Sequence, residues 1–570
     1  MSSQLVKRKR EEERVGEEHT VREKVGGFKS WIGEEYTDLK QYLQLLLRRR
    51  VVLEPYTPER FGPLVTFNGL PGYREEERYW VNEPYALVSI LYNDERREYL
   101  YYVVEPELAP SERILLETVY ENLLDTLTPY DTSILHDDSD AVKSEVLERK
   151  TLELIEGYSI DVEQPALHKI LYYLKRDYIG YERIDPLMRD AMIEDISCDG
   201  ADIPIFLYHR KYQNIKTNIS FTEERLNSFV MKLSQLCGKH ISIGEPLINS
   251  TLPDGSRLNA SLGREVTFRG SSFTIRKFRE HAFTPADLIK SGTYTAEILA
   301  YLWLAVENGK NIIIAGATAA GKTSTLNAIS LFIPPLAKIV SIEDTQELVL
   351  HHANWIGTLT RESQREGNAN EIDMYELLRG ALRQRPEYII VGEIRGPEAL
   401  TLFQAMNTGH TTYSTIHAES VNTIISRLEG EPINVPHVMI QALDILCIQR
   451  LLQVGGRRVR RLETLVEFTG MDQRTQDLLF NDLYEWDPKT DTFMQNGRSF
   501  ILEDIMFKLN WDEERLRLEL ENRKKILNHM VEEDMDEYDI ISLIQSYYAD
   551  PQKTMQAIGE EVAENHEPTS

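Results

Sequence analysis

Gly316-Ala-Thr-Ala-Ala-Gly321-Lys322-Thr323 follows a short apolar run, Lys310-Asn-Ile-Ile-Ile-Ala. It precedes Ser324-Thr-Leu-Asn-Ala-Ile-Ser-Leu-Phe-Ile, whose Leu326, Ile329 and Ile333 fall on one helical face. Strand, small-residue loop and helix in that order are the setting in which GxxxxGK[ST] cradles phosphates. Small residues let backbone N–H groups turn inward around an anion, and the helix N-terminus adds a favourable partial charge. Lys322 can then bridge β- and γ-phosphates, and Thr323 can hold magnesium. The predicted ATP-binding set is Gly316, Ala317, Thr318, Ala319, Ala320, Gly321, Lys322, Thr323 and Ser324.

Acids follow the next two apolar runs. Lys338-Ile-Val-Ser-Ile ends in Glu343-Asp344, and Glu387-Tyr-Ile-Ile-Val-Gly ends in Glu393, with Arg395 beside it. In a doubly wound sheet, functional groups gather at the carboxyl ends of strands, so Glu343 can face an attacking water and Glu393 fits a Walker B acid. The competing readings are Asp344 as a helix N-cap with Glu343 solvated, and Glu393 as a solvated strand-end acid. A fourth run, Gly409-His410-Thr-Thr-Tyr-Ser-Thr-Ile-His417, is bracketed by histidines seven positions apart, hence on opposite strand faces. They read as phosphate sensors or as structural histidines.

These residues need an α/β scaffold, and residues 297–456 alternate apolar strands with amphipathic helices as a parallel sheet requires. Upstream, residues 31–280 read as a mixed α+β N-terminal domain in two subregions, about 31–150 and 151–280. Strands at 85–92 and 98–104 flank the turn Asn93-Asp94-Glu95, and helices are expected from Ser111 and over 222–237. Pro285 and Gly292 place the inter-domain linker at 281–296. Residues 457–550 read as a C-terminal β-rich and helical appendage, 1–30 as a flexible charged arm and 551–570 as a disordered tail.

The 570 residues are 42% hydrophobic and 27% charged, the profile of a globular chain, and the net charge is −28. Such a field repels nucleic acid phosphates, so no nucleic acid partner is expected. No apolar run reaches the ~18 residues of a membrane span, and the basic N-terminus lacks the apolar core of a secretory signal. Any membrane role is therefore expected to be peripheral. Cys198, Cys237 and Cys447 form no metal spacing and read as reduced thiols.

The order Walker A, acidic box (Ser341-Ile-Glu343-Asp344-Thr-Gln-Glu347), Gly-Glu Walker B (Val391-Gly392-Glu393-Ile-Arg395-Gly396) and histidine box resembles the secretion-superfamily ATPases. These drive type II secretion, type IV pili, type IV secretion and the archaeal swimming filament. Thr251-Leu-Pro-Asp254-Gly-Ser-Arg257 and Arg269-Gly-Ser-Ser-Phe-Thr-Ile-Arg276 look like the family's segments that place arginines against ATP. The resemblance implies a RecA-like C-terminal core, a mobile N-terminal domain and a homo-hexameric ring at the inner face of the cell membrane. It implies Glu343 as general base and Glu393 as Walker B acid, the latter joining Thr323 on magnesium through water. Arg257, Arg269 and Arg276 become charge-stabilising arginines, with His417 near the γ-phosphate. A polytopic membrane platform protein and a cytosolic accessory ATPase-like protein are the implied partners. The chain lacks the four-cysteine zinc insertion usual in bacterial pilus-extension and type II secretion ATPases, and its Walker B ends Glu-Ile-Arg-Gly, not the Arg-Asp of bacterial retraction ATPases. Asp195-Ile-Ser-Cys198-Asp-Gly, the run from Leu382 to Gly396 and the acidic C-terminal helices are similar to the archaeal branch. Within it the archaellum motor ATPase comes first, ahead of adhesion-pilus assembly and type II secretion ATPases, with a nucleic acid translocase as the distant alternative.

Overall fold

The structure, a computed structural model, describes residues 52–128, 139–158, 160–278, 282–361, 372–454 and 457–564. The arm expected at 1–30 lies outside them. Two compact units are formed. One takes the described residues of Met1–Lys232, Ile241–Leu247 and Ala260–Ile275; the other takes Leu233–His240, Ile248–Asn259 and those from Arg276 onward.

The first sheet runs β1-β2-β3-β6-β5-β4-β9-β8-β7. Its strands are β1 (Arg74–Asn82), β2 (Ala86–Asn93), β3 (Glu98–Val104), β4 (Ile193–Cys198), β5 (Phe206–His209), β6 (Gln213–Thr217), β7 (Leu247–Thr251), β8 (Arg257–Ser261) and β9 (Ser272–Arg276). The hairpin read at Asn93 is present, with Asn93 opposite Glu98. Helices α1 (Pro110–Thr126), α2 (Asp140–Tyr158) and α3 (Gln164–Tyr178) share an apolar cluster that includes Val119, Leu147 and Ile170. Helix α4 (Glu223–Leu236) matches the expected 222–237.

The last changeover from the first unit to the second falls at Ile275/Arg276, just before the linker expected at 281–296. Along the sequence, Leu233–His240 and Ile248–Asn259 belong to the second unit, so the first unit is not one continuous stretch. Pro285 does not mark a linker: it opens the short helix Pro285–Lys290. Thr284 accepts from the Asp287 N–H while the Asp287 carboxylate accepts from the Thr284 N–H, a reciprocal cap that satisfies two otherwise free donors.

The second sheet runs β12-β11-β13-β14-β10-β15-β16-β17-β18. It comprises β10 (Ile312–Gly316), β11 (Ile339–Glu343), β12 (Trp355–Leu359), β13 (Tyr388–Val391), β14 (Thr411–Ile416), β15 (Ile445–Val454), β16 (Arg457–Met471), β17 (Leu478–Asp487) and β18 (Thr492–Gln495). From β12 to β15 every pair is parallel. Parallel sheets are buried on both faces, and successive residues of β10 show it. Ile312 and Ile314 enter one core with α5 (Ala296–Glu307) and α6 (Lys322–Ser330), whereas Ile313 and Ala315 enter the other with α7 (Met374–Arg383), α8 (Glu398–Asn407) and α9 (Val421–Glu429). This is the α/β core expected from the sequence.

The β-rich part of the appendage expected at 457–550 continues the core sheet. β16 pairs antiparallel with β15, and β17 and β18 extend the same sheet. Helices α10 (Phe500–Leu509), α11 (Glu513–Glu532), α12 (Glu537–Ala549) and α13 (Pro551–Glu564) supply Ile505, Ile526, Met530, Ile544 and Ile558 to the core that also holds Leu326 and Ile329 of α6. The tail expected to be disordered from 551 is therefore helical to Glu564. Asp550 caps it by accepting from the Lys553 N–H at 3.0 Å, Pro551 starts it, and buried Ile558 anchors it.

Candidate nucleotide site

The parallel strands bring their carboxyl ends to one edge. Gly316 ends β10, Glu343 ends β11, Gly392-Glu393 follows β13 and His417 follows β14, in register through Ala315↔Ile416, Ile342↔Val391 and Val391↔Ser414. At Gly316 a Cβ would lie 2.5 Å from the Gln449 carbonyl, so only glycine allows β15 to approach this closely. Gly321 caps α6 at φ +93° with no side-chain cap, leaving the first-turn amides without intrahelical acceptors. Lys322 Nζ donates to Gly316 O at 3.0 Å and Ala317 O at 3.1 Å. Burial lowers its pKa, Glu393 and Glu347 act in the opposite direction, and Arg395 and Arg276 add to the lowering. Thr323 and Ser324 are half-buried in the same first turn.

Glu343 is 3% exposed. One carboxylate oxygen accepts from the N–H groups of Glu347 (2.9 Å) and Leu348 (3.0 Å). Burial pushes its pKa up to about 7, against the pull of those two donors. The solvated reading of this residue is excluded. The glycine before Glu393 also acquires a reason: a Cβ at Gly392 would stand 3.2 Å from Glu343 Cγ.

Glu393 takes Arg395 Nη2 at 2.5 Å, and Arg395 Nη1 lies 3.9 Å from Asp344. Asp344 also accepts from Thr360 Oγ1. The Arg395 and Gly396 N–H groups are held by buried Glu398, at 2.6 and 2.7 Å. His417 is half-buried at the carboxyl edge, and its carbonyl accepts from Arg427.

His410 is set apart from this group. It precedes Thr411, which pairs with Tyr388 at the start of β13, so it sits at the amino edge. Six strand residues of about 3.3 Å rise put it roughly 20 Å from the edge that carries His417. Arg276 ends β9, exposed and near enough to influence Lys322. Arg257 is half-buried at the start of β8. Arg269 belongs to the first unit, where its carbonyl accepts from the Ala201 N–H.

Sequence reasoning missed four supporting residues. Asn327 of α6 donates to Glu347 O and accepts from the Val349 N–H, both at 2.9 Å, tying the acidic-box loop to the phosphate-loop helix. Glu398 holds the Arg395 turn. Gln449 donates to Thr325 Oγ1 at 2.6 Å and Tyr294 OH at 3.1 Å beneath the loop. Arg460 Nε donates to Ala319 O at 2.9 Å. Only the acidic residue three positions after Arg395 carried a local signal. The others act across 20 or more positions of sequence.

A family model described as type II/IV secretion system protein matches residues 180–536. The chain belongs to that family. The type II/IV secretion system ATPase hydrolyses ATP and is a secretion- or pilus-type motor. A PilB3-like N-terminal model matches residues 34–107. The ATPase is 36% identical over 472 residues to an uncharacterized protein of Methanocaldococcus jannaschii, covering 79% of this chain and 85% of the relative. It is 31% identical over 230 residues to the type IV secretion system protein PtlH of Bordetella pertussis, covering 37% and 68%. Among solved structures, the ATPase DotB of Legionella pneumophila aligns over 66% of this chain and 96% of that chain, at 17% identity and a TM-score of 0.39. Among the described residues no helix is long and apolar enough to cross a membrane.

Proposed function

We propose that this ATPase works as a homo-hexamer at the inner face of an archaeal cell membrane and drives filament assembly through a polytopic platform protein. The observation that carries the catalytic part is Glu343, a buried carboxyl with a pKa near 7 at the strand edge that also holds the phosphate loop. A general base works best when its pKa lies near the operating pH. In this reading Glu343 takes the proton of the attacking water, Lys322 and the loop amides hold the phosphates, and Arg257, Arg269, Arg276 and Arg395 offset the charge of the dispersed transition state. His417 reports on the γ-phosphate.

The half-buried Thr323 hydroxyl and the Glu393 carboxylate are hard oxygen donors, which suits magnesium. No group of three or more His, Cys, Asp or Glu side chains poised for a metal exists among the described residues. When bound, magnesium neutralises charge on the phosphate oxygens.

Two filaments compete for the role. The PilB3-like N-terminal match favours an adhesion pilus. The second reading is the archaellum, with its cytosolic accessory ATPase-like protein, favoured by the motif set and the acidic C-terminal helices. Imaging a host that carries Lys322→Ala separates them. Loss of thin pili with normal swimming supports the pilus, loss of swimming filaments with pili intact supports the archaellum, and retention of both refutes the filament role.

A further inference from the structure

The phosphate loop is gripped from outside by the β15–β16 hairpin. On one side the Gln449 carbonyl packs against Gly316, and the Gln449 side chain donates to Thr325 in the second turn of α6. On the other, Arg460 Nε donates to Ala319 O at 2.9 Å, and Arg460 Cδ would lie 3.1 Å from a Cβ on Gly321. Ala319 is the loop's left-handed alanine, at φ +62°. An L-residue rarely holds that conformation unless its surroundings over-determine it.

A β-bulge aims Arg460. The pairing of β15 with β16 shifts between Ile448 and Gln449, which face Thr464 and Leu462, so Glu463 is the extra residue. Glu463 is fixed by Arg450 at 2.5 Å. The shift lets Leu462 and Leu465, three apart, enter the same core. It also sets the parity of Arg460. A bulge beside an active site commonly re-aims a side chain in this way.

We propose that Arg460 is a positioning residue for ATP binding: its guanidinium holds the Ala319 carbonyl outward, so that no carbonyl oxygen of that peptide faces the phosphates. The proposal rests on the phosphate-loop reading of Gly316–Ser324. Its effect belongs to ground and transition states alike, because both carry the same phosphate tail. Uniform binding of this kind changes KM and leaves kcat in place.

The test uses the full chain with Arg460→Ala and Arg460→Lys, measuring steady-state ATP hydrolysis and ADP affinity by titration calorimetry. Arg460→Ala is expected to raise KM for ATP and Kd for ADP by about tenfold each, with kcat changed less than about twofold. Arg460→Lys keeps one N–H donor for Ala319 O and is expected to stay within about threefold of wild type. Arg460→Ala with KM and ADP Kd both within about twofold overturns the proposal. So does a fall in kcat with KM unchanged, which would put the guanidinium on the reacting phosphate. If Arg460→Ala fails to fold, Arg460→Met, which keeps the unbranched stem and has no N–H to donate, carries the same test. Lys322→Ala is run beside them. Normal ADP binding and turnover in Lys322→Ala would sink the phosphate-loop reading itself, and is distinguishable from a failure confined to Arg460.

Discussion

Replacing Glu343 by glutamine separates what this residue does for catalysis from what it costs the fold. Its pKa of about 7, against 4.5 for an ordinary glutamate, corresponds to ~3 kcal/mol. The side chain is almost fully buried, so solvent screening does little to reduce that figure. The native state holds the proton more tightly than the unfolded chain. Stability is therefore greatest below pH ~4.5, falls as the pH rises through ~7, and is level above. Glu343→Gln keeps an oxygen for the Glu347 and Leu348 N–H groups and removes the charge. Thermal unfolding of both chains at about pH 5 and about pH 8 is the assay. The two should be close at the lower pH, and the variant should be more stable at the higher by up to ~3 kcal/mol. The same substitution should bind ATP but lower kcat by at least ~100-fold. In the wild type, kcat should decline as the pH falls below ~7, because a base must be unprotonated to act. A stability gap that does not change with pH would show that the carboxyl titrates like an exposed one. Near-normal turnover in Glu343→Gln would remove it from the base role.

Lys322→Ala should abolish measurable hydrolysis in a coupled phosphate-release assay while leaving the unfolding midpoint within a degree or two. Gly392→Ala pushes a methyl to 3.2 Å from Glu343 Cγ, and should cut kcat by roughly tenfold with KM for ATP little altered, as steady-state kinetics will read. His417→Ala should lower kcat, whereas His410→Ala at the opposite edge of the sheet should leave kcat/KM within about twofold. Buried Glu467 accepts from Tyr301 OH, Ser499 Oγ, Asn481 and the N–H groups of Phe500 and Ile501. Glu467→Ala strands those donors and should destabilise by ~3–5 kcal/mol in a urea titration, with KM for ATP unaffected in the folded fraction.

The parts of this molecule legible in its sequence are those whose physics is local. Gly316 to Thr323 is one uninterrupted loop, and its strand and helix are its immediate neighbours in the chain. Glu343 and Glu393 could be placed because parallel strands deliver their last residues to a common edge. The same rule separates the two histidines, since His410 precedes its strand and His417 follows it, whereas side-chain periodicity alone assigns them only to opposite faces. Asn327, Gln449 and Arg460 meet their partners across 20 or more positions, and nothing in their own windows distinguishes them from surface residues. Pro285 and the tail after Asp550 differ from expectation in another way, since each begins with a proline that opens a helix. A proline starts a helix as readily as it ends one, and the buried Leu288 and Ile558 hold these two in place.

The antiparallel strands that continue the parallel sheet have a consequence for how this chain can be shortened. Helices α11 and α12 bury Ile526, Leu527, Met530, Ile540 and Ile544 in the core that seats the phosphate-loop helix. A truncation after β15, where a minimal enzyme would be cut by motif content alone, uncovers the floor on which the nucleotide loop stands. A catalytic fragment therefore needs the C-terminal helices through α13, and shaving them removes the foundation while every motif is still in place.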